Sequence, residues 1–297
     1  MRNILCVTLI ALLGGCTSTS VTEKYQDKRN DIINVKDKVI EFETGNVLIG
    51  SVSRLYMSNK CLLIADHKSV DKQIHIFNKN DFSYLTSIGN FGEGPEEITV
   101  MGCLAIDEAH HQLYVSDHAK QKIFSYDMDS VMVDSLYKPQ VKTAMNETLF
   151  PSEYQYINDT LSIAVLIKPT STSTFNQFLG RWNMNTGEMI PMKYTHPDIQ
   201  KKRITFAASE KAGIYVECYT RHDLMTICSL DGELLYNIYG PDWDGGNGNK
   251  LQSFGTVMIG NDKIFVSYCG EDYARDSFPT KILVFDMTHS IIELFCH

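Results

Sequence analysis

The sequence lacks several patterns that would assign it to a common functional class. It has no C-x-x-C pair, so the ligand spacing typical of a zinc site is missing. It has no cluster of Lys and Arg, and 27 basic against 36 acidic residues give a formal net charge of −9. Binding to nucleic-acid phosphates needs a basic surface, so we expect no nucleic-acid partner. The G-x-S-x-G, H-E-x-x-H and phosphate-binding glycine motifs are absent as well, which leaves no motif for a common hydrolase, metalloprotease or nucleotide-binding enzyme.

Long hydrophobic runs are also missing, apart from one at the start of the chain. After residue 16 no apolar run approaches the ~20 residues that a membrane-spanning helix needs. Residues 1–3 include one positive charge, Ile4–Leu13 is apolar but too short to span, and two glycines precede Cys16. This arrangement predicts a lipoprotein signal over residues 1–16 whose Cys16 thiol takes the lipid. An ordinary signal with a chance cysteine is the alternative.

The residues after Cys16 predict where the protein is held. Acyl chains contribute ~0.8 kcal/mol per buried CH₂, so two or more of them hold a protein stably at a membrane. Thr17 stands where bacterial lipoproteins retained in the inner membrane carry Asp. We therefore expect the outer membrane, facing either the periplasm or the cell exterior. Residues 17–37 are polar and predict a tether, and residues 38–297 predict the folded domain.

The remaining cysteines show no pairing pattern. An oxidising compartment would allow disulfides, but spacing alone does not assign partners. Most of them lie in strand-like runs, so we expect buried free thiols at Cys61, Cys103, Cys218, Cys228, Cys269 and Cys296.

Short strand-like segments recur with a period near 50 residues. The second strand of each copy has a similar alternation of apolar residues, which begins at Leu62, Leu113, Leu161, Ile214 and Ile264. Turns rich in Asn, Asp and Gly, which tolerate the positive φ of tight hairpins, join the third and fourth strands. One four-stranded sheet buries too little surface to be stable alone, so copies must pack against each other. A period of this length predicts an all-β fold, the β-propeller with four-stranded blades.

Several motifs resemble known propeller families. Residues 89–97 (GNFGEGPEE) resemble the G-x-G-P-x-E-F loop of NHL-type propellers. Tyr239-Gly240-Pro241, Tyr268-Cys269-Gly270 and Ile282–Asp286 resemble landmarks of the TolB-like six-bladed propeller lipoproteins. The resemblance covers about residues 38–286. It implies an envelope lipoprotein with a propeller fold, and it supplies no catalytic residues to transfer.

The number of repeats predicts an incomplete ring. Five blades are expected, at about 51–88, 102–136, 153–193, 202–239 and 253–296, with one more strand at Lys38–Glu43. Blades shaped for a six-fold ring resist the wider step of a five-fold ring, because tight packing tolerates little change in shape. We therefore expect a gapped six-bladed arrangement with a truncated last blade, in which blades one and five expose apolar flanks that favour a partner. A closed five-fold ring is the alternative.

Loop lengths predict which end of the propeller binds a ligand. Connections between strands one and two and between strands three and four are short, whereas several on the opposite end are long, at Gly89–Met101, Tyr137–Ser152, Lys168–Asn176, Gly240–Gln252 and Cys269–Thr280. Long loops on a rigid scaffold concentrate binding residues. Charged and aromatic side chains at this end form the candidate ligand site: Glu96, His118, Lys120, Arg221, His222, Trp243, Tyr273 and Arg275. Long loops without a function are the alternative.

Weaker motifs add little chemistry. Residues 242–249 (DWDGGNGN) have the alternating oxygens of a calcium loop, but the Gly is out of register and Ser253 replaces the bidentate Glu, so we expect no calcium and no other cofactor. His110-His111 is expected to be solvated in a tight turn. Asp66 and Asp117 occupy equivalent positions in blades one and two and are expected to hold the loop after the second strand.

These observations favour a binding module over an enzyme. We expect a membrane-anchored propeller that binds a glycan, a peptide, another small polar ligand or a protein partner. The alternative is a propeller enzyme, either a metal-assisted lactonase or a glycan hydrolase or lyase.

Overall fold

The computed structural model describes residues 21–29, 41–134, 136–200, 202–246, 251–272 and 281–287. A short strand, β1 (Glu23–Tyr25), precedes five sheets. Blade one consists of β2 (Ser53–Met57), β3 (Cys61–Asp66), β4 (Lys72–Asn78) and β5 (Tyr84–Asn90). Blade two consists of β6 (Met101–Asp107), β7 (Gln112–Asp117), β8 (Lys122–Asp127), the helix α1 (Met128–Val133) and β9 (Gln140–Ala144).

The other three sheets follow in chain order. Blade three consists of β10 (Phe150–Asn158), β11 (Leu161–Pro169), β12 (Phe175–Trp182) and β13 (Met189–Pro191). Blade four consists of β14 (Ile204–Ser209), β15 (Ile214–Tyr219), β16 (Leu224–Ser229) and β17 (Leu234–Tyr239). Blade five consists of β18 (Leu251–Gly260), β19 (Lys263–Asp272) and β20 (Lys281–Asp286). Its predicted fourth strand, before residue 296, lies outside the described residues.

Each sheet is an antiparallel meander in which neighbours in sequence pair with each other. Middle strands have both faces covered, so β3 is buried at every position, whereas β2 is exposed at four of its five. The first strands β6 and β10 contact each other, as do β14 and β18, so the first strand of each blade faces the propeller centre. The predicted all-β propeller is confirmed.

Core packing joins the blades in chain order. Separate hydrophobic clusters connect blade one with two, two with three, three with four, and four with five. Within the described part of the chain, no cluster contains residues of both blade five and blade one. This packing agrees with the predicted gap and gives no support to a closed five-fold ring.

The flanks of blades one and five that were predicted to border a gap differ from each other. Phe42, Val47 and Ile49 pack on the outer flank of blade one, and Phe42 stacks on Phe82 with ring centroids 4.5 Å apart. The expectation that this flank is exposed is therefore wrong for its outer part. Its first strand, β2, does expose apolar side chains, and blade five does so too: Leu55, Met57, Met258 and Ile282 are more than half exposed.

A helix replaces the strand that was predicted after β8. Asp127 caps α1, since its side chain accepts a hydrogen bond from the Ser130 N–H (2.7 Å). The sequence predicted that the fourth strand would complete blade two by about residue 136, and this is wrong because local capping outweighs the apolar alternation. The edge strand is β9, which pairs with β8. The predicted loop Tyr137–Ser152 is accordingly divided by β9, and the connection between the third and fourth strands of blade two, predicted to be short, instead contains α1.

Two other predicted segments also differ from the structure. β11 and β12 extend until Pro169 pairs with Phe175, so the predicted loop Lys168–Asn176 is a tight hairpin. Residues 41–43 of the predicted strand Lys38–Glu43 are not in a strand, and its first residues lie outside the described ranges.

The N-terminal segment is bound to blade four. β1 pairs in parallel with β17, with Glu23 opposite Asn237 and Tyr25 opposite Tyr239. Tyr25 stacks on Tyr239 (4.6 Å between ring centroids). Arg29 donates two hydrogen bonds to the buried Asp223 carboxylate (2.6 and 3.1 Å). Residues 21–29 are thus a fifth strand and a clamp, which corrects the expectation of a polar tether for this part of residues 17–37.

Candidate functional site

The two ends of the propeller are distinguished by their connections. We call the end with the blade-to-blade connections and the loops between second and third strands the long-loop face, and the opposite end the short-loop face. On the long-loop face Asp66 accepts hydrogen bonds from the backbone N–H groups of Gly50 and Lys68. Asp117 accepts them from Thr99, Val100, Ala119 and Lys120. The predicted role of both aspartates, holding the loop after the second strand, is confirmed, and each also fixes the segment before its own blade.

The loop at residues 92–97 is a closed structural unit. The Lys120 ammonium donates hydrogen bonds to the carbonyl oxygens of Gly92 (3.3 Å), Gly94 (2.6 Å) and Glu97 (2.5 Å). The Glu97 carboxylate accepts a hydrogen bond from the Gly94 N–H (2.8 Å) and fills the space that a side chain at position 92 would need. Glu96 points outward and pairs with Lys138 (2.6 Å). Lys120 therefore holds this loop in place with donors that a ligand would otherwise use.

An ion pair crosses the long-loop end of the central channel. Arg54 lies near the start of β2 in blade one, and Glu153 lies near the start of β10 in blade three. Their side chains meet at 2.6 Å between Nη1 and Oε1, with exposed fractions of 51% and 40%. The pair joins blade one to blade three across β6, the first strand of blade two, and Gly102 lies near the start of β6. Both charged groups remain accessible to a ligand from solvent.

Two histidines lie beside this ion pair. The Nδ1 atom of His67 is 3.2 Å from the carbonyl oxygen of Met101, and His118 packs over Gly102. Burial lowers the pKa of both rings, while the nearby Glu153 charge opposes that shift. Among the described residues, neither Nε2 atom has a hydrogen-bond partner. We call Arg54, His67, His118 and Glu153 the mouth cluster.

Gly102 makes the packing of His118 possible. A Cβ atom at this position would collide with His118 Nε2 and with Ser116 Oγ. Ser116 is fully buried, and its hydroxyl accepts a hydrogen bond from the Cys103 N–H (2.8 Å), so it has little freedom to move. The glycine thus sets the position of the His118 ring at the channel.

The predicted residues of blade four form a separate, packed cluster. The Trp243 ring lies 6.0 Å from His222, 5.0 Å from Tyr239 and 5.6 Å from His196, centroid to centroid. His196, His222 and Tyr239 are buried. Tyr239 also donates a hydrogen bond to Glu23 of β1 (2.5 Å). Trp243 therefore packs on its own blade, which corrects the expectation that it stands at an open mouth.

The other predicted site residues do not complete one shared site. Arg221 is half-buried next to His222 in the sequence and belongs to the blade-four side of the long-loop face. Tyr273, Arg275 and Cys16 lie outside the described residues. The structure therefore divides the predicted site into a blade-two part with His118 and a blade-four part with His222 and Trp243.

The structure describes only part of the calcium-like loop at residues 242–249. Asp242 accepts a hydrogen bond from the Tyr268 hydroxyl (3.1 Å), and Asp244 Oδ1 is 3.9 Å from His222 Nδ1. Residues 247–249, with two of its potential ligands, lie outside the described ranges. The expectation that no calcium binds there stays a prediction.

A group on the short-loop face has ligand atoms close enough to share an ion. These atoms of Asp107, His110 and Asp159 all lie within 4.8 Å of one another. His110 Nδ1 is 2.8 Å from Asp107 Oδ2, and this hydrogen bond raises the pKa of His110. His110 is exposed, as expected, and its ring also forms a hydrogen bond with Asp107.

The thiols agree with the sequence. The five cysteines in the described ranges, Cys61, Cys103, Cys218, Cys228 and Cys269, are all buried and form no disulfide. Burial raises the pKa of Cys103 to about 12, so this thiol is inert at neutral pH. The prediction of buried free thiols is confirmed for these five; Cys296 lies outside the described residues.

Sequence reasoning missed three of the four mouth residues. His67 could have been found, because Asp66-His67 in blade one repeats Asp117-His118 in blade two. Arg54 and Glu153 carried no such signal, since each is a lone charge in a strand, and only the ring brings residues 99 positions apart into contact.

Comparison with known proteins supports the fold. The family described as "DUF5128: 6-bladed beta-propeller" matches residues 17–178. The crystal structure of a "Putative exported protein" from Bacteroides fragilis is similar, with 14% identity, a TM-score of 0.52 and coverage of 89% of this chain and 76% of that one. A DUF4221 member from Bacteroides vulgatus is similar too, with 10% identity, a TM-score of 0.53 and coverage of 81% and 79%. No curated protein matches the chain. Within the described ranges, no helix has the length and apolar character needed to cross a bilayer.

Proposed function

Because this chain belongs to the DUF5128 family of six-bladed β-propellers, we propose that it is a lipid-anchored envelope protein that binds a glycan at the mouth cluster. The observation that carries the proposal is the accessible Arg54–Glu153 pair, which lies beside two half-buried histidines. A guanidinium donates to sugar oxygens, a carboxylate accepts from sugar hydroxyls, and a neutral imidazole can do either.

The histidines contribute because they are neutral at pH 7. Burial lowers the pKa of His67 and His118, so each ring keeps one donor and one acceptor nitrogen. The Nδ1 atom of His67 faces a carbonyl oxygen and must donate to it, which leaves Nε2 as an acceptor that is buried beneath the surface of the mouth. Phe150, at 6.0 Å from the His118 ring, adds an aromatic surface on which an apolar sugar face can pack.

The anchor is proposed to lie at the opposite end from the mouth. β17 runs toward the long-loop face, and β1 is parallel to it, so Val21 lies toward the short-loop face. Val21 lies five positions after Cys16, a distance along the chain of at most ~18 Å. A lipid on Cys16 therefore holds the short-loop end of blade four near the membrane and directs the mouth away from it. The similar Bacteroides fragilis protein is described as a "Putative exported protein", which favours export of this chain as well.

Labelling with a palmitate analogue tests the anchor. We expect the wild type to incorporate the label and Cys16→Ser to lose it, together with its membrane association. Equal labelling of the two proteins would contradict the anchor and leave the binding site untouched.

A glycan array tests the binding site. We expect the wild type to bind at least one class of glycan on the array. Arg54→Ala should weaken this binding at least tenfold, because it removes the donor and leaves Glu153 uncompensated. Arg181→Ala is the matched control, since Arg181 forms a similar ion pair with Asp231 (3.2 Å) elsewhere on the surface. No retained glycan, or equal loss in both variants, would contradict the proposal. Cleavage of a glycan that stops with EDTA would instead favour the enzyme alternative.

A further inference from the structure

A cavity of about 460 Å³ opens on the short-loop face between blades one and two. Its walls are the hairpin between β2 and β3, the turn between β6 and β7, and the helix α1. Ligand pockets in proteins usually measure about 300–1,000 Å³, so the volume is sufficient for a small molecule. This cavity is separate from the mouth cluster, which lies at the other end of the blades.

One side of the cavity carries apolar side chains. Leu63 and Leu113 are fully buried at its floor, and Ile106, Met128 and Met132 line it further out. α1 supplies both methionines, so the cavity exists because the chain forms a helix here in place of a regular fourth strand. Methionine side chains are flexible and polarisable, and they adapt to apolar ligands of different shape.

The rim of the cavity is acidic. Glu108 and Asp129 line it, whereas Lys60 is the one Lys or Arg among its lining residues in the described part of the chain, and the Asp107 carboxylate is buried against His110. Glu108 accepts a hydrogen bond from the Asn59 N–H (2.6 Å), and Asp129 Oδ2 is 2.8 Å from His111 Nδ1. These contacts hold the carboxylates at the entrance, where they would attract a cation.

We propose that this cavity binds a hydrophobic amine, with the apolar body against Ile106 and the α1 methionines and the ammonium group at Glu108 and Asp129. Burial of the body contributes ~25 cal/mol per Å² of apolar surface, and the rim selects the sign of the charge. An anion with the same body would meet the same apolar walls but be repelled at the entrance. The inference does not depend on glycan binding.

The test uses two probes with the same ring and opposite charges, tryptamine and indole-3-propionate. The protein carries ¹³C-methyl methionine, so that the Met128 and Met132 signals report on the cavity and the exposed Met258 of blade five serves as an internal control. We expect tryptamine to shift the Met128 and Met132 signals in a saturable manner, and indole-3-propionate to bind at least tenfold more weakly. Unchanged Met128 and Met132 signals, or equal affinity for the two probes, would overturn the proposal.

Two rim variants test the role of charge. Glu108→Gln and Asp129→Asn are each expected to weaken tryptamine binding at least threefold, with the Met258 signal unchanged as a sign that the fold is intact. Arg181→Ala, which removes an exposed ion pair outside the cavity, is expected to leave tryptamine binding within twofold of the wild type. Unchanged affinity in both rim variants would overturn the assignment of the ammonium group to this rim.

Discussion

Replacing Arg29 with Ala is expected to destabilise the protein by about 3 kcal/mol. The Arg29 side chain is 11% exposed and its partner Asp223 is fully buried, so the substitution leaves a carboxylate uncompensated in the interior. Removing one member of a buried ion pair costs about 3–5 kcal/mol. The Arg29 guanidinium also lies 4.5 Å from the Tyr268 ring centre. Asp223 keeps a hydrogen bond from the Asp242 N–H (3.1 Å), which places the expected loss at the lower end of that range.

Urea unfolding of the mature chain carrying Cys16→Ser measures this loss as a lower midpoint at an unchanged slope. Lys193→Ala is the matched control, because the Lys193–Glu233 pair is about two-thirds exposed and should contribute at most about 1 kcal/mol. Adding Asp223→Asn to Arg29→Ala should restore part of the stability, since it removes the uncompensated charge. A loss below about 0.5 kcal/mol for Arg29→Ala would refute the docking of residues 21–29 on blade four.

Two further predictions concern the mouth cluster. Burial lowers the pKa of His67 and His118 in the folded state, so the unfolded chain binds more protons below its own histidine pKa near 6.5. The free energy of unfolding should therefore be highest above pH 6.5 and fall as the pH drops below it. His118→Gln should make this fall shallower. A free energy of unfolding that does not change between pH 7 and pH 5 would contradict the burial of these rings. Gly102→Ala should lower the free energy of unfolding by about 1–3 kcal/mol, because the new methyl group overpacks against His118 and the fixed Ser116 hydroxyl. Chemical denaturation measures this loss, and a stability equal to that of the wild type would show that the glycine is not needed.

The fold could be predicted from the sequence because its signal repeats. The alternation at Leu62, Leu113 and Ile264 recurs in every blade, and one irregular copy does not hide the period. α1 was missed for the opposite reason, since Met128–Val133 is a single segment whose residues suit a strand equally well. Asp127 can act as an N-cap because β8 ends at this residue, and the sequence alone did not show where β8 ends.

The site was harder to predict because it depends on contacts between distant residues. His118 was found from its place after a second strand, but Arg54 and Glu153 become partners only when blades one and three approach the channel. Trp243 was predicted to share one site with His118, whereas here its ring packs on Tyr239 and His222 of blade four. The parallel pairing of β1 had no sequence signal, since three residues in a polar segment carry no periodicity.

Imidazole NMR signals of the histidines test the central claim most directly, with any glycan that the array retains. We predict that the glycan shifts the ring signals of His67 and His118, that it leaves those of His196 and His222 in blade four and of His110 on the short-loop face unchanged, and that Arg54→Ala abolishes the shifts. Shifts confined to His196, His222 or His110, with His67 and His118 unaffected, would contradict a glycan site at the mouth cluster.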